Sequence, residues 1–268
     1  MSSTLVGASG RVYVRDRVLK AHPRKPELNI YLAHCDSQPF VLKPVSKSIF
    51  GHSVMLRREF PDTRQLRTHA DVNENELILV YEYFEHDLLS LVQNNSSLSL
   101  KARKFILQQV GQAVESFHAR NWIHLDIKPD NVMVDCRENN EGQLQIERVF
   151  LYVITGMETL HPDFKELREA GIEPELEIVG RLITFFGPVP PELVAHVNEQ
   201  IWGNILMELS EATADDPSMR FNQWKEEVFP NLDTETKRVI SRMTKLNPAE
   251  RGTMAEILKD PWWRRNED

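Results

Sequence analysis

The pattern of apolar and polar positions changes near residue 99. Before it, the apolar residues come in short runs rich in β-branched and aromatic side chains. These are Val12-Tyr13 after the glycines at 7 and 10, Phe40-Val-Leu-Lys43, and Leu77-Ile-Leu-Val-Tyr-Glu-Tyr-Phe84. Runs of this kind predict strands, and the turn to polar Glu85-His86-Asp87 predicts a strand that leaves a core as an exposed connector. From Ser99 the pattern is helical: Leu100, Ile106, Leu107, Val110, Val114 and Phe117 recur at three- and four-residue spacing, with Lys and Gln on the other face. Ser99 is suited to cap that helix, which runs directly into Asn121-Trp-Ile-His124. Val132 to Cys136 and Gln145 to Leu151 then predict two strands joined by a polar loop. Further on, turn-rich connectors at His161 to Phe164 and Phe186 to Glu192 separate helical stretches. Asp233 opens a helix with Val239, Ile240, Met243 and Leu246 on one face, and Thr253-Met-Ala-Glu256 has the form of a capping box.

Length and composition bound this picture. The 268 residues, 41% of them hydrophobic, suffice for one large domain or two lobes that share a cleft. A formal charge of −8 argues against a general nucleic-acid binder, whose surface would be basic. Cys35 and Cys136 are too few for a disulfide framework or a zinc site, which points to a reducing compartment. The N-terminus lacks an apolar core of signal-peptide length, and the longest apolar run, Val149 to Ile154, is far short of the roughly 20 residues of a membrane span. The expected setting is intracellular, cytoplasmic or nuclear, with no membrane partner.

Candidate chemistry concentrates in the loop after the long helix, His124 to Asn131, which reads HLDIKPDN. Asp126, Lys128 and Asn131 bring a potential base, a cation and an amide ligand for a metal into one short loop, a set suited to phosphoryl transfer. Gly7 and Gly10 let backbone amides approach a phosphate, although a plain hairpin turn explains them equally well. Lys43 is a single cation at the end of an apolar strand, or a surface lysine before Pro44.

Taken together, these stretches resemble the eukaryotic protein kinases of Ser/Thr type, most closely the cyclin-dependent and mitogen-activated group. The resemblance implies an α+β, two-lobed fold, with a β-rich N-lobe over residues 1–84 and a larger helical C-lobe over 85–268. It implies ATP and magnesium as cofactors and a protein substrate or partner. In the family's terms Asp126 takes the substrate hydroxyl proton, Lys128 neutralises phosphate and Asn131 holds magnesium. Gly7 and Gly10 stand as the last two glycines of a glycine-rich loop, and Lys43 as the strand lysine paired with Glu59. Tyr81 backs the adenine pocket, the backbone of Glu82 and Tyr83 meets the adenine edge, and Asp87 reaches a ribose hydroxyl. His124 has a structural role, and Leu125 replaces the Arg that many members use to bind a phosphorylated activation loop.

The sequence also departs from the family. A magnesium-binding Asp-Phe-Gly is expected directly after the strand ending at Leu151, yet no acidic residue lies between Arg148 and Met157. Instead, Phe150 to Met157 is similar to the second half of the family's central C-lobe helix. The activation segment and substrate platform therefore read as deleted near 151–152, and Arg251 is expected to be exposed or to find another partner. Two functions follow: a Ser/Thr kinase with impaired transfer, or a pseudokinase serving as a nucleotide- or protein-binding module. A small-molecule phosphotransferase of related fold is a third.

Overall fold

The computed structural model describes residues 4–63, 65–95, 97–123, 127–134, 150–155, 162–214 and 216–265. They form two compact units, Met1–Glu85 and His86–Asp268, each with its own core. Together they make an α+β fold with a β-rich first unit and a mainly helical second. No helix among the described residues is long and apolar enough to cross a membrane.

The first unit contains β1 (Thr4–Val6), β2 (Val12–Lys20), β3 (Ile30–Cys35), β4 (Gln38–Pro44), α1 (Lys47–Glu59), β5 (Asp71–Asn73) and β6 (Ile78–Glu82). The strands run antiparallel in the order β1-β2-β3-β4-β6-β5. Asp36 and Ser37 both adopt positive φ between the paired ends Cys35 and Gln38, the conformation a two-residue hairpin needs. Alternation then sorts the side chains. Phe40, Leu42, Ile78 and Val80 turn inward with Leu5, Tyr13, Ala33 and Cys35, whereas Leu79 packs with Val45 and with Phe50 of α1.

The sheet curls until its outer strands meet. Ala8 N donates to Val72 O (2.7 Å) and Asn73 Nδ2 to Val6 O (2.8 Å), which joins the β1 edge to the β5 edge. Closure hides backbone groups that an open sheet leaves exposed. Helix α1 is capped by Ser46 and ends against buried Phe60.

The second unit contains β7 (His86–Asp87), α2 (Leu88–Asn94), α3 (Leu100–His118), β8 (Met133–Val134), α4 (Phe150–Thr155), α5 (Phe164–Ala170), α6 (Pro174–Phe186), α7 (Pro191–Val197), α8 (Gln200–Ala212), α9 (Thr234–Met243) and α10 (Met254–Leu258). Its main core joins Leu88, Leu91, Ile106 and Leu107 to Val153, Ile154, Val239, Ile257 and Trp262. Helix α3 differs from the expected amphipathic helix with polar residues outside, because Arg103 and Lys104 are buried. Arg103 donates to the carbonyls of Leu98 (2.8 Å) and Val153. Lys104 donates to Arg265 O (3.3 Å) and lies over the Trp262 ring. Carbonyl groups and an aromatic face let these cations enter the core.

Of the two strands expected after the loop, the first is present as β8, with Asp135 and Cys136 outside the described residues. The described part of the second, Phe150 and Leu151, is the start of α4. An apolar run bounded by turns fits a strand or a buried helix equally, and here the packing of Val153 and Ile154 favours the helix.

Candidate functional site

In the first unit the two glycines serve the fold. A Cβ on Gly7 would stand 2.0 Å from Asp71 Oδ2, and Gly10 has φ +83°. The amides of the turn are all engaged. Gly7 N donates to Arg11 O (2.9 Å), Ala8 N to Val72 O, Ser9 N to Asp71 Oδ1 (3.1 Å) and Gly10 N to Gly7 O (3.0 Å). A phosphate cradle needs free donors, so in this conformation the Gly7 and Gly10 turn does not provide one. The connection beside Lys43 is instead residues 21–29, since Lys20 pairs with Ile30 and Tyr31 with Leu42.

Lys43 lies near the end of β4, opposite Leu79. Surrounding protein lowers its ammonium pKa, and repulsion from Arg67 and Lys20 adds to the effect. The expected pair with Glu59 does not form. Glu59 is the exposed last residue of α1, and the neighbouring charges that act on Lys43 are cations.

Arg67 was not singled out from the sequence. Its guanidinium lies over the rings of Tyr81 (5.0 Å) and Phe84 (5.1 Å), and Nη2 donates to Glu82 O (2.6 Å). Tyr83 N donates to Pro39 O (3.3 Å). Of the two backbone groups expected at an adenine edge, the Tyr83 amide is thus used within the sheet. The Glu82 carbonyl accepts from Arg67 and keeps a second lone pair. Burial raises the Tyr81 hydroxyl pKa, against hydrogen bonding to Ser53 of α1 and the charge of Arg67. The only trace of this arrangement in the sequence is the pair of aromatics at 81 and 84.

In the second unit, α3 ends in a tight reversal. Asn121 takes φ +57°, Trp122 N donates to Phe117 O (2.9 Å), and the two rings meet edge to face. The loop follows. His124, Leu125 and Asp126 lie outside the described residues. Lys128 Nζ approaches Asp130 Oδ2 at 3.5 Å, with both side chains about half exposed. Asn131 N closes a 3-10 turn on Lys128 O (3.0 Å). The chain is then pinned: Val132 is buried, its carbonyl accepts from Leu88 N (2.8 Å), and β8 pairs with β7 so that Asp87 faces Met133.

Asp87 is half-buried and caps α2 through Ser90 N (2.8 Å), so one carboxylate oxygen is engaged in the fold. Among the described residues no three His, Cys, Asp or Glu side chains converge as a metal site. Asn131 supplies a single amide oxygen, whereas magnesium takes near-octahedral oxygen coordination. The described residues by themselves do not fit the ion. Arg251 is exposed and donates to the carbonyls of Lys245 (2.6 Å) and Leu246 (3.4 Å), the alternative partner that the sequence called for.

The model of the protein kinase domain matches residues 61–149. A Dictyostelium discoideum protein named probable cyclin-dependent kinase 10 is 28% identical over 72% of this chain and 59% of its own length. Mus musculus Aurora kinase C is 24% identical over 88% of this chain and 86% of its own. A second Dictyostelium protein, named as a probable cyclin-dependent serine/threonine-protein kinase, is 33% identical over 24% of this chain. The chain spans 5% of the length of that relative, and 20% of a probable cell division protein kinase of Encephalitozoon cuniculi. The matched segment contains β6, the long helix α3 and the HLDIKPDN loop, and over it the chain is similar to the eukaryotic protein kinases.

Proposed function

We propose that this protein is a nucleotide-binding member of the Ser/Thr protein kinases that transfers phosphoryl groups to protein hydroxyls weakly or not at all. The observation that carries this reading is the state of Lys43. It stands on its strand without the Glu59 carboxylate, and no residue between Arg148 and Met157 supplies the acidic metal ligand expected directly after Leu151. Bound ATP would supply the phosphoryl group. Lys43 and Lys128 would bind phosphate oxygens, the Glu82 carbonyl would orient the base, and Asp126 would hold the acceptor proton. Removing one preorganised charge-stabilising group costs about 100- to 1,000-fold in rate. On this reading the activation segment is deleted near 151–152, and the protein acts mainly as a nucleotide-dependent binding module for another protein.

The test combines binding with turnover. ATP is expected to raise the melting temperature of the full chain, while transfer from labelled ATP to Ser/Thr peptides stays at background. Robust magnesium-dependent transfer that is lost in Asp126→Asn would overturn the impaired-transfer reading. Absence of any ATP-induced shift, together with no competition by other nucleotides, would remove the binding reading.

A further inference from the structure

The cations around Lys43 lie together because of strand register. Lys20 pairs with Ile30, and the pairing of Tyr31 with Leu42 sets Ile30 opposite Lys43, so the two lysines flank one strand on the same face of the sheet. Lys43 pairs with Leu79. Two residues along that strand, and so on the same face, Tyr81 carries the Arg67 guanidinium at 5.0 Å. The Phe84 ring and the Glu82 carbonyl hold that guanidinium in place, so its charge is already positioned before any ligand arrives. Gathering like charges is unfavourable, and after burial, the main cause, Arg67 and Lys20 both add to the lowering of the Lys43 ammonium pKa.

We propose that Lys20, Lys43 and Arg67 form a polyphosphate site on this face, which takes a nucleotide as the free polyanion in preference to its magnesium chelate. The inference rests on the nucleotide-binding reading above; it adds the ionic form of the ligand and assigns Lys20 and Arg67 as phosphate-neutralising residues. Electrostatic attraction grows with the negative charge of the ligand, and magnesium cancels part of that charge before binding. A site that neutralises phosphate with its own cations gains less from the chelate. Binding also relieves the repulsion among the three side chains, and it weakens with added salt.

The experiment titrates the full chain at low ionic strength with ATP in EDTA, ATP in excess magnesium, and inorganic tripolyphosphate in EDTA, for the wild type, Lys20→Met and Arg67→Met. Free ATP is expected to bind about fivefold or more tighter than the chelate, with tripolyphosphate competing. Lys20→Met, an exposed change, is expected to weaken both free polyanions about threefold or more while leaving the melting temperature unchanged. Independently, acetylation of Lys43 by acetic anhydride, followed by mass spectrometry, is expected to slow when tripolyphosphate is present. Tighter binding of the chelate, or an unaltered affinity in Lys20→Met, overturns the inference and leaves nucleotide binding standing. Binding of tripolyphosphate with no ATP binding supports the polyanion site and removes the nucleotide reading. No binding of any of the three, with Lys43 acetylation unchanged, overturns both. Should Arg67→Met fail to fold, Lys20→Met and the acetylation rates still decide the matter.

Discussion

Each unit buries an aspartate, and the two are held by opposite means. Asp71 in the first unit accepts from neutral donors: Ser9 N and Oγ, Tyr13 OH (2.9 Å) and Val72 N (2.8 Å). Burial pushes its pKa up, but these hydrogen bonds outweigh that and leave it lowered. Tyr13 is pushed up to about 12, by burial first and then by its bond to Asp71. Asp260 in the second unit accepts from cations, Arg238 at 2.8 and 2.6 Å and Arg242 at 2.7 Å, and from Trp262 N. The hydrogen bond from Arg238 brings its pKa to about 2. The difference lies in what each partner does when the carboxylate is lost. Arg238 and Arg242 are 40% and 38% exposed and can turn to water, whereas Tyr13 is 0% exposed and cannot.

This contrast predicts that Asp71→Ala is the most damaging single change, at about 3 to 4 kcal/mol, because it strands buried donors at the seam that closes the sheet. Denaturant melts followed by near-UV dichroism of tyrosine would measure it, since four of the five tyrosines lie in the first unit and all five tryptophans in the second. Gly7→Ala sharpens the point. Its new methyl strikes the Asp71 carboxylate, so it should destabilise the wild type clearly and the Asp71→Ala background much less; equal costs would show that the contact is not the cause.

Asp260→Asn should cost about 2 kcal/mol, seen as a lower midpoint in tryptophan fluorescence. A loss matching that of Asp71→Ala would break the proposed distinction. Gly111→Ala is expected to cost about 1 kcal/mol, because its Cβ would meet Leu258 Cδ2 at 2.8 Å and Met254 Sδ at 3.1 Å, the ends of side chains that can give way.

Acidification should give the gentlest change, and it should affect the two units in turn. His69 is 5% exposed, and burial, followed by Arg57, lowers its pKa below the ordinary 6.5. Its neutral form therefore stabilises the fold fully above pH 6.5, and this contribution fades as pH falls below that value. Asp260 contributes fully above its unfolded value of 3.8, and its contribution is lost as pH falls through about 2. Tyrosine signals should thus respond before tryptophan signals, and His69→Gln should flatten the early slope. Simultaneous responses, or a slope unchanged by that substitution, would count against this assignment.

Much of the local structure is legible in the residues. Ser99 caps α3, Asp233 caps α9, and Thr253 with Glu256 forms the capping box, because each device links a side chain to an amide two or three residues away. The strand run ending near Glu82 and the isolated Lys43 were equally readable. By contrast, the burial of Arg103 and Lys104 in α3 could not be read from spacing, since both resemble ordinary surface positions. Their partners, Val153 and Trp262, are supplied by distant parts of the chain. Glu59 was well placed in order of sequence, but it ends α1 facing solvent, and Arg67 acts on Lys43 in its stead.

The sequence alone determined the resemblance to the protein kinases, the succession of short strands and a long helix, and the residues available for phosphate chemistry. Those features depend on residue type and on neighbours a few positions away. Tertiary structure decided which of those groups stay available. The Gly7 and Gly10 turn closes Gly7 N and Gly10 N on itself, and β5, 62 residues from Ser9, takes the amides of Ala8 and Ser9 and the Ser9 hydroxyl into the closing seam. Hydrogen-bond donors are satisfied by whatever acceptor the fold brings within about 3 Å, and that choice depends on long-range packing rather than on local pattern.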